Sequence, residues 1–463
     1  MAKHLVFYGT IVHSQDIDHV DILENTLILT GEGGVITALE RDVPPNQLEE
    51  KLKALGLDTG NHELHQLHRA EFLIPGFVDT HNHAPQWAQR GLGRGLQILD
   101  WLNQITFKNE AKYADVRYAR KAYTQAVKGF LNQGVTTASY YASLHGPATK
   151  VLAEICFAEG QRALIGKCNM DRNSPSFYVE QSAQESLAAT RDLIDAIKQL
   201  DPSVSLIKPI LTPRFAISCT DELLRGLGQL AKEDTDLPIQ THFNEAQSEI
   251  DTTLSLFPDF TNEVDLYSHF GLLNDRTILA HCCHMTPYET QKFKQLGCGI
   301  AHCPVANTTV GGGFMAAPIR EFLEQGITKI GLGTDSGGGF SSSILDAMRQ
   351  AFIVSNAKEM MTGGKDKSLS VDECFYMATL GGAKVCGLDH KVGSFAVGKE
   401  FDACLVRTCE SGGEGMEWDL DVPLGVMTPI EAGDNPRTIF EKFVMSGDDR
   451  NIARVWVKGG CVK

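Results

Sequence analysis

Two histidines flank a single asparagine in the stretch PGFVDTHNHAPQ, directly after an apolar run that is typical of a buried strand. Side chains two residues apart on a strand point to the same face, so His81 and His83 could bind one metal ion together. The pair alone equally suits two hydrogen-bonded core histidines, because 15 histidines in 463 residues produce about 0.5 such pairs by chance. The residues at the ends of the other predicted strands must therefore decide between the two interpretations.

Five later apolar runs also end in side chains that could take part in chemistry. These residues are Arg214 and Phe215 in LTPRF, His242 and Glu245 in THFNE, His281 in LAHC, His302 in IAHC and Asp335 in GLGTD. Enzymes with parallel β/α barrels build their sites at the carboxyl ends of the strands, where the loops converge. Imidazoles and carboxylates at successive strand ends therefore predict one shared site, although each residue alone could belong to the core.

Three histidines and an aspartate offer the nitrogen and carboxylate ligands that suit one zinc ion per chain, with iron as the less favoured alternative. Such a set leaves a position for water, and the metal would lower the pKa of that water and make a hydroxide nucleophile. Glu245, three residues beyond His242, could shuttle protons to a substrate nitrogen. Asp335 and His281 could orient the water and accept its proton, so Glu245, His281 and Asp335 are the candidate catalytic residues.

Alternative interpretations of several stretches remain open. His302 could brace the site or fill the core, and Asp335 could cap the following helix, although a serine nearer that helix suits the role better. HCCH at 281–284 has the composition of a zinc knuckle, but alternation along a strand would divide its side chains between two faces. The histidines of NHELHQLHRA favour a polar surface segment over a metal cluster, and GLGTDSGGG lacks the spacing of a dinucleotide-binding loop.

The elements that must position these residues alternate along the chain from residue 75 onward. The strand-like runs are FLIPGFVDT, GVTTASYY, RALIGKCNM, LIKPILTPRF, LPIQTHF, RTILAHC, CGIAHCP and KIGLGTD. Amphipathic segments typical of helices, such as QESLAATRDLIDAIKQL, separate them. Repeated strand–helix units predict an α/β fold with a parallel sheet, namely a (β/α)8 TIM-type barrel over residues 76–387, with an open doubly wound sheet as the alternative.

Both ends of the chain have a different pattern, with short strands and glycine turns. The runs HLVFYGTIVHS and TLILTGEGGVITALE precede the barrel segment, and KVGSFAVGKEFDACLV and RVWVKGGCVK follow it. Such runs are typical of small β domains. We predict that residues 1–75 and 388–463 form one composite, β-sandwich-like domain beside the barrel.

The composition is that of an ordinary globular protein, with 43% hydrophobic and 22% charged residues. The net charge of −16 argues against nucleic acid or an anionic membrane surface as a partner and favours a small neutral or cationic ligand. No apolar run approaches the length of a membrane span, and the start lacks a signal-peptide pattern. The 12 scattered cysteines, with no CxxC pair, predict reduced thiols and a cytoplasmic location.

The strand-end motifs together resemble those of the amidohydrolase superfamily. The motifs are PGFVDTHNH, the histidine of THFNE, LAHC and GLGTD, and the tail GSFAVGKEFDACLV is similar to that superfamily's closing β-domain segment. The resemblance covers nearly the whole chain. Dinuclear members carry a bridging lysine at the end of strand four, whereas this chain has Arg214 there and Lys208 earlier in the run. This difference favours the mononuclear deaminase branch.

Within that branch, further blocks are similar to the members that deaminate guanine. The blocks are HAPQWAQRG, DWLNQITFKNE, TPRFAISC, AHCPVANTTVGGGF and GLGTDSGGGFSSSILDAMRQAF. The resemblance implies that zinc is bound by His81, His83, His242 and Asp335, that the base is held by Gln86, Arg214, Phe215 and His242, and that the protein is a homodimer. Arg214 and the Gln86 amide offer planar donors for a purine edge. Phe215, with Trp87 or Trp101, could cover the face of the base.

The reaction that the resemblance implies is attack by hydroxide at C2 of guanine, protonation of N3 by Glu245 and loss of ammonia, which leaves xanthine. A first alternative is an amidohydrolase that acts on another amino- or halo-heterocycle, such as 8-oxoguanine or a triazine, because few contacts separate such substrates. A second alternative is a scaffold of the same fold without catalysis. The complete ligand set together with Glu245 disfavours the scaffold.

Overall fold

Strands and helices alternate along the computed structural model, which describes residues 4–57, 61–310, 315–408, 428, 430–431 and 433–463. The strands are β1 His4–Ser14, β2 Val20–Thr30, β3 Ile36–Glu40, β4 His62–Gln66, β5 Glu71–Pro75, β6 Phe77–His83, β7 Val135–Tyr141, β8 Arg162–Gly166, β9 Cys168–Asn169, β10 Ile207–Pro209, β11 Thr212–Pro213, β12 Ile239–Phe243, β13 Thr277–His281, β14 Gly299–His302, β15 Ile330–Leu332, β16 Ala403–Arg407, β17 Ile452–Val457 and β18 Gly460–Cys461. The α-helices are α1 Leu48–Ala54, α2 Ile98–Trp101, α3 Phe107–Glu110, α4 Val116–Asn132, α5 Gly146–Ala158, α6 Ala183–Leu200, α7 Asp221–Glu233, α8 Gln247–Leu256, α9 Glu263–His269, α10 Pro287–Leu296, α11 Pro304–Thr309, α12 Ile319–Glu324, α13 Ile344–Met361, α14 Val371–Ala378, α15 Leu380–Val385 and α16 Pro436–Ser446. Short 3-10 turns lie at Glu32–Gly34, Pro45–Gln47, Ala84–Gln89, Ala111–Ala114 and Ala216–Ser218, and a π-helical turn at Leu102–Thr106 joins α2 to α3.

The strands between residues 77 and 332 form parallel sheets. One sheet has the order β10-β8-β7-β6, another has the order β12-β13-β14-β15, and β9 pairs with β11. Helices connect most of the successive strands, because parallel pairing needs a crossover connection. The predicted α/β class is confirmed.

The sequence spacing explains how the connecting helices pack. In α7 the residues Leu223, Leu227 and Leu230 recur at helical spacing and are buried, while the charged residues of the same helix are exposed. Thr220 caps the helix by accepting a hydrogen bond from Leu223 N at 3.3 Å. One apolar stripe and one polar face therefore orient this helix against the sheets.

Contacts between the two four-stranded sheets bring their carboxyl ends to the same side. Leu211 forms a parallel bridge with Ile239, which links the segment between β10 and β11 to β12. At the other edge, Thr80 Oγ1 of β6 donates to the carbonyl of Leu332 on β15 at 2.8 Å. The strand ends that carry the predicted site residues therefore lie together.

A separate eight-stranded sheet combines strands from both ends of the chain, in the order β18-β17-β16-β5-β1-β2-β3 with β4 paired to β1. Phe7 packs against Phe401 and Trp456 at its core, with ring centroids 4.7 and 5.0 Å away. The expected polar segment NHELHQ is the partly exposed strand β4, and its His65 ring stacks on Phe7 at 4.7 Å. No group of candidate metal ligands within the described residues includes these histidines.

Three predicted strands are divided in the structure. FLIPGFVDT splits at Gly76, with β5 in the eight-stranded sheet and β6 in a parallel sheet. A Cβ atom at Gly76 would lie 2.1 Å from Thr136 Oγ1, so only glycine allows this close passage. LIKPILTPRF breaks after Pro209, which has no N–H for strand pairing. RALIGKCNM breaks at Lys167, whose buried ammonium lies 2.6 Å from Glu180.

Buried polar contacts join the eight-stranded sheet and its connections to the rest of the chain. Arg162 of β8 donates from Nε to Asp402 at 3.0 Å and from Nη2 to Glu400 at 2.6 Å. His13 of β1 accepts a hydrogen bond at Nδ1 from the backbone N–H of Phe395 at 3.0 Å. Residues distant in the sequence are therefore held together by specific polar pairs as well as by the core.

Among the helices of the described ranges, none is both long and apolar enough to cross a bilayer. The described cysteines are all free thiols, and of these only Cys461 is exposed. Burial raises the pKa of interior thiols such as Cys282 well above the ordinary value, which keeps them protonated at neutral pH.

Candidate metal centre and adjoining cavity

Five ionisable side chains from four strand ends converge at one point. They are His81 and His83 on β6, His242 on β12, His281 at the end of β13 and Asp335 just after β15. The Nε2 atoms of His83 and His242 lie 3.1 Å apart, and Asp335 Oδ1 lies 3.5 Å from the Nε2 atoms of His81 and His83. Candidate ligand atoms of His81, His242 and His281 lie within 4.8 Å of one another, as do those of His81, His83 and Asp335. His81, His83, His281 and Asp335 are buried, and His242 is partly buried.

Two nitrogens of this group, His81 Nε2 and His281 Nε2, have no hydrogen-bond partner within the described residues. Leaving a buried polar atom without a partner costs on the order of 1–3 kcal/mol. A divalent cation beside the Asp335 carboxylate would satisfy both nitrogens at once. The donor set therefore fits a bound metal ion.

The other ring nitrogen of His81 is held by a chain of polar side chains. His81 Nδ1 donates to Gln240 Oε1 at 2.5 Å, and Gln240 Nε2 donates to Ser139 Oγ at 2.7 Å. Equivalent bonds run from His242 Nδ1 to the carbonyl of Arg214 at 2.6 Å and from His281 Nδ1 to Asn307 Oδ1 at 2.8 Å. These bonds place the ring proton on Nδ1 and leave Nε2 free to coordinate, the usual arrangement for ligating histidines.

Asn82, which lies between His81 and His83, bonds to Asp79 and not to a candidate metal ligand. Its Nδ2 donates to Asp79 Oδ2 at 3.0 Å. Asp79 also accepts from Thr334 N at 3.0 Å and from Thr334 Oγ1 at 2.6 Å. Burial raises the pKa of Asp79 to about 6. This carboxyl fastens the end of β6 to the residue that precedes Asp335.

The backbone bends sharply where the strands deliver these residues. Asn244, His281 and Asp335 have φ angles of 45°, 75° and 41°, which is uncommon for residues other than glycine. Such conformations cost about 1–3 kcal/mol each and concentrate at functional sites. The surrounding hydrogen bonds must offset this cost, which indicates that the positions of these side chains are closely specified.

Burial controls the protonation of the centre. It lowers the pKa of His83 and His242 well below the ordinary value and that of His281 to about 4, so these rings are neutral. Burial alone would raise the pKa of Asp335, but electrostatic attraction to the rings of His81, His83 and His281 holds it well below the ordinary value. Neutral imidazoles and an ionised carboxylate are the forms that bind metal ions.

Glu245 follows β12 and lies beside the centre. Its Oε2 atom is 3.6 Å from His281 Nε2, and it belongs to neither group of candidate ligands. Burial, and then the negative charge of Asp335, raise the pKa of Glu245 well above the ordinary value. Glu249 fixes the turn by accepting from Glu245 N at 2.9 Å. A carboxyl held in this position can carry a proton to a neighbouring reactant.

A cavity opens beside the metal centre. Polar side chains of its lining include Gln86, Arg214 and Glu245, and its apolar walls include Trp101, Leu102, Phe215 and Val310. Trp87 does not line it, because that ring packs against Phe130 at 5.1 Å. Apolar walls with polar groups between them suit a flat heterocycle.

Two of the open interpretations have structural answers. His302 ends β14 but belongs to neither group of candidate ligands, and burial lowers its pKa to about 3, so it is a neutral interior residue. The alternation expected for HCCH does not apply, because β13 ends at His281 and Cys282 has a φ of 50°. Within the described residues, no candidate ligand group includes Cys282 or Cys283.

Glu110 is a polar residue near the cavity to which the sequence analysis assigned no role. It accepts hydrogen bonds from Gln86 Nε2 and Tyr178 OH, both at 2.7 Å, and from Arg214 Nη1 at 2.9 Å. The block DWLNQITFKNE ends at Glu110, so the resemblance contained a signal. The residue was missed because it lies on a helix rather than at the end of a strand. Part of another block, residues 311–314, lies outside the described residues.

The chain matches the amidohydrolase family over residues 72–462. Guanine deaminase of Dictyostelium discoideum is 40% identical over 463 residues, which cover 99% of this chain and 98% of that protein. Probable guanine deaminase of Schizosaccharomyces pombe is 40% identical over 457 residues, 99% of this chain and 83% of that protein. Among solved structures, guanine deaminase from C. acetobutylicum with guanine bound in the active site has a TM-score of 0.86 and 32% identity over 100% of both chains.

Proposed function

The chain belongs to the amidohydrolase family, and on that premise we propose that it catalyses the hydrolytic deamination of guanine to xanthine and ammonia. The observation that carries the proposal is a cluster of metal-ligating side chains that opens onto a cavity lined by Gln86, Arg214 and Phe215. The names of the curated relatives and the guanine-bound solved structure support the choice of substrate.

We infer that His81, His83, His242 and Asp335 hold one zinc ion. Three imidazole nitrogens and one carboxylate oxygen suit zinc, with iron as the alternative, better than they suit magnesium or calcium. Such an ion supplies Lewis acidity that makes water a competent nucleophile near neutral pH. The unpartnered Nε2 atom of His81 supports a cation at this place, and the unpartnered Nε2 atom of His281 is left for the attacking water.

Proton transfer is assigned to Glu245. Water adds to C2 of guanine as Asp335 and His281 take one of its protons and Glu245 donates its own proton to N3. The remaining hydroxyl proton then returns to Glu245, the first water proton passes to the exocyclic nitrogen, and the bond between C2 and that nitrogen breaks, which releases ammonia and leaves xanthine. Glu245 Oε2 lies 3.6 Å from His281 Nε2, and Glu245 belongs to neither group of candidate ligands. This placement supports its role in proton transfer. Asp335 and His281 orient the attacking water and accept its proton.

The cavity lining is assigned to binding the base. Arg214 and Gln86 supply planar donors to the polar edge of the purine. Phe215 and Trp101 cover its faces, while His242 contacts it from the metal centre. The base is thereby held with C2 towards the metal ligands, which is the orientation that hydrolysis requires.

We further propose that the parallel strands close into a (β/α)8 barrel over residues 76–387, with residues 1–75 and 388–463 as a small β domain. The Leu211–Ile239 bridge and the bond between Thr80 and Leu332 support closure of the barrel.

We also propose that the protein is a homodimer and that it lies in a reducing, cytoplasmic compartment. The free cysteines support the choice of compartment. Sedimentation and cell fractionation test these two proposals.

The purified protein should contain about one zinc per chain and release ammonia from guanine much faster than from adenine, cytosine, 8-oxoguanine or an aminotriazine. Removal of the metal by a chelator should abolish turnover, and zinc should restore it. The measurement is an ammonia assay over this panel, with metal analysis of the same sample. Turnover of a triazine or 8-oxoguanine in preference to guanine would favour the alternative substrate class, and metal-free protein without turnover of any purine would refute the proposal.

Glu245→Gln is the matched variant for this experiment. It should keep the metal content of the wild type and lose at least about 100-fold in kcat, because the amide cannot carry the proton. Undiminished turnover in this variant would remove Glu245 from the mechanism without touching the choice of substrate.

A further inference from the structure

Glu110, the last residue of α3, lies behind two residues of the cavity. Only 1% of its side chain is exposed, and it does not line the cavity itself. Its Oε1 atom accepts from Gln86 Nε2 at 2.7 Å and from Arg214 Nη2 at 3.2 Å. Its Oε2 atom accepts from Tyr178 OH at 2.7 Å and from Arg214 Nη1 at 2.9 Å. A carboxylate has about four acceptor positions, so this one is fully used.

The pair of Glu110 and Arg214 is a two-point, buried ion pair. Both terminal nitrogens of the guanidinium bond to the carboxylate, and 3% of the Arg214 side chain is exposed. This fork fixes the plane of the guanidinium as well as its position. Nη1 also donates to Cys168 Sγ at 3.8 Å, so the Nε–H and the outward-facing hydrogen of Nη2 remain for a ligand.

Glu110 also fixes the direction of the Gln86 amide. Gln86 Nε2 donates to Glu110, while Gln86 Oε1 accepts from Gln89 Nε2 at 3.3 Å. Gln89 is in turn anchored by donating to Thr106 Oγ1 at 2.9 Å. Because its two ends have different partners, the amide cannot exchange donor and acceptor. Glu110 and Gln89, which do not line the cavity, therefore determine the hydrogen-bonding pattern that Arg214 and Gln86 present to it.

The charge of the pair matters for the choice of ligand. An arginine alone in a buried cavity would attract an anion, because transfer of an uncompensated charge out of water is costly. With Glu110 bonded to it, the polar edge of the cavity carries no net charge. A neutral ring edge is then bound by hydrogen bonds alone, and an anionic one gains no ion pair.

We propose that Glu110 is a positioning residue that presets the donors of Arg214 and Gln86 and cancels the arginine charge, so that the cavity selects an uncharged purine over an anionic one. This inference rests on the proposed function, since it concerns the same cavity. Tyr178 belongs to the support of Glu110, because it donates to the carboxylate and does not line the cavity.

The test compares Glu110→Gln, Glu110→Asp and, as matched control, Glu154→Gln in the zinc-loaded enzyme. Two probes report on charge: hypoxanthine, a neutral purine, and urate, an anion at neutral pH. Glu110→Gln should raise KM for guanine about 10-fold or more and shift the ratio of the Kd values for urate and hypoxanthine about 10-fold towards urate. Steady-state kinetics and calorimetry give the two quantities, and metal content should match the wild type.

Glu110→Asp keeps the charge but shortens the side chain by one methylene. It should raise KM for guanine at least about 5-fold, because the donors are displaced, and leave the urate-to-hypoxanthine ratio within about 3-fold of wild type. Glu154→Gln makes the same change at an exposed carboxylate that pairs with Arg120, and it should leave both quantities within about 3-fold of wild type. A general loss of structure would not change KM for guanine in Glu110→Asp while leaving the urate-to-hypoxanthine ratio unchanged.

An unchanged ratio in Glu110→Gln, or an unchanged KM in Glu110→Asp, overturns the inference while guanine turnover by the wild type upholds the proposed function. If Glu110→Gln gives no soluble protein, KM in Glu110→Asp decides. Wild-type protein that neither releases ammonia from guanine nor binds hypoxanthine overturns the proposed function, and this inference with it.

Discussion

Three imidazole rings of the centre depend on oxygen atoms that bond to their Nδ1 nitrogens. Gln240 holds His81, the Arg214 carbonyl holds His242, and Asn307 holds His281, each through Nδ1. None of these partners is a ligand type that a search for metal motifs would select. They nevertheless determine which tautomer each ring adopts and where its free nitrogen points.

Replacement of Gln240 by methionine tests this dependence. The change keeps the volume but removes the acceptor of His81 Nδ1, so the affinity for zinc should fall about 10- to 100-fold. Competition with a chromophoric chelator measures it. Gln229→Met on the exposed face of α7 is the control and should bind zinc as the wild type does. Equal affinities in the two variants would show that the Gln240 bond does not matter.

The placement of the site residues was largely predictable, and that of their supports was not. His81, His83, His242, His281 and Asp335 end apolar runs, and parallel strands bring their carboxyl ends together. Glu110 and Asn307 lie on short helices and Gln240 lies inside a strand, where nothing in the local pattern distinguishes them. Their positions depend on pairings between distant segments.

At the scale of elements, the turn after β12 illustrates how helices position a reacting group. Asn244 N donates to Glu263 Oε2 at 3.0 Å, and Asn244 Nδ2 donates to Glu289 Oε1 at 2.9 Å. Glu245 N donates to Glu249 at 2.9 Å. These three carboxylates come from α9, α10 and α8, so three helices hold the turn that carries Glu245.

Asn244→Ala should destabilise the protein and displace Glu245. It loses the bond to Glu289, worth about 1–3 kcal/mol, and places alanine at a left-handed φ, at a cost of about 1–2 kcal/mol. Asn244→Gly loses the same bond without the backbone cost, so it should be the more stable of the two. Denaturant unfolding and kcat measure the effects, and equal stabilities would refute a backbone contribution.

The strand pattern predicted which segments form sheets but not where each strand stops. FLIPGFVDT is one apolar run, yet the close passage of Gly76 by Thr136 divides it between two sheets. Periodicity reports burial on both sides of the glycine and does not identify the partner strand. The proline in LIKPILTPRF was a readable sign of a break, because it removes a donor from the ladder.

At the scale of the whole molecule, His13 links the first strand to a segment near the opposite end of the described chain. Its Nδ1 accepts from Phe395 N, and its Nε2 lies 3.8 Å from Asp21 Oδ2. Burial lowers the pKa of His13 to about 4, despite the opposing charge of Asp21 and with the help of Arg41 and Lys399. The neutral ring is therefore part of the folded structure.

The stability of the wild type should fall as the pH drops below about 6.5, because the unfolded chain binds a proton at His13 before the folded protein does. The contribution of His13 to the free energy of unfolding is fully present above that pH, and about 2 kcal/mol of it is lost at pH 5. His13→Asn keeps an acceptor that does not titrate, so its stability relative to wild type should rise by that amount between pH 7 and pH 5. Urea unfolding measures it, and a pH-independent difference would contradict the prediction.

The division of the chain at Gly76 between two sheets also affects how the protein folds during translation. β5 ends at Pro75 and pairs with β1 along one edge, but the partner along its other edge, β16, begins only at Ala403, so that edge stays unpaired until most of the chain has left the ribosome. Asp335 likewise emerges long after the paired histidines. The metal centre is therefore assembled late in translation, and a nascent chain that stops before residue 335 has no complete set of ligands for the ion.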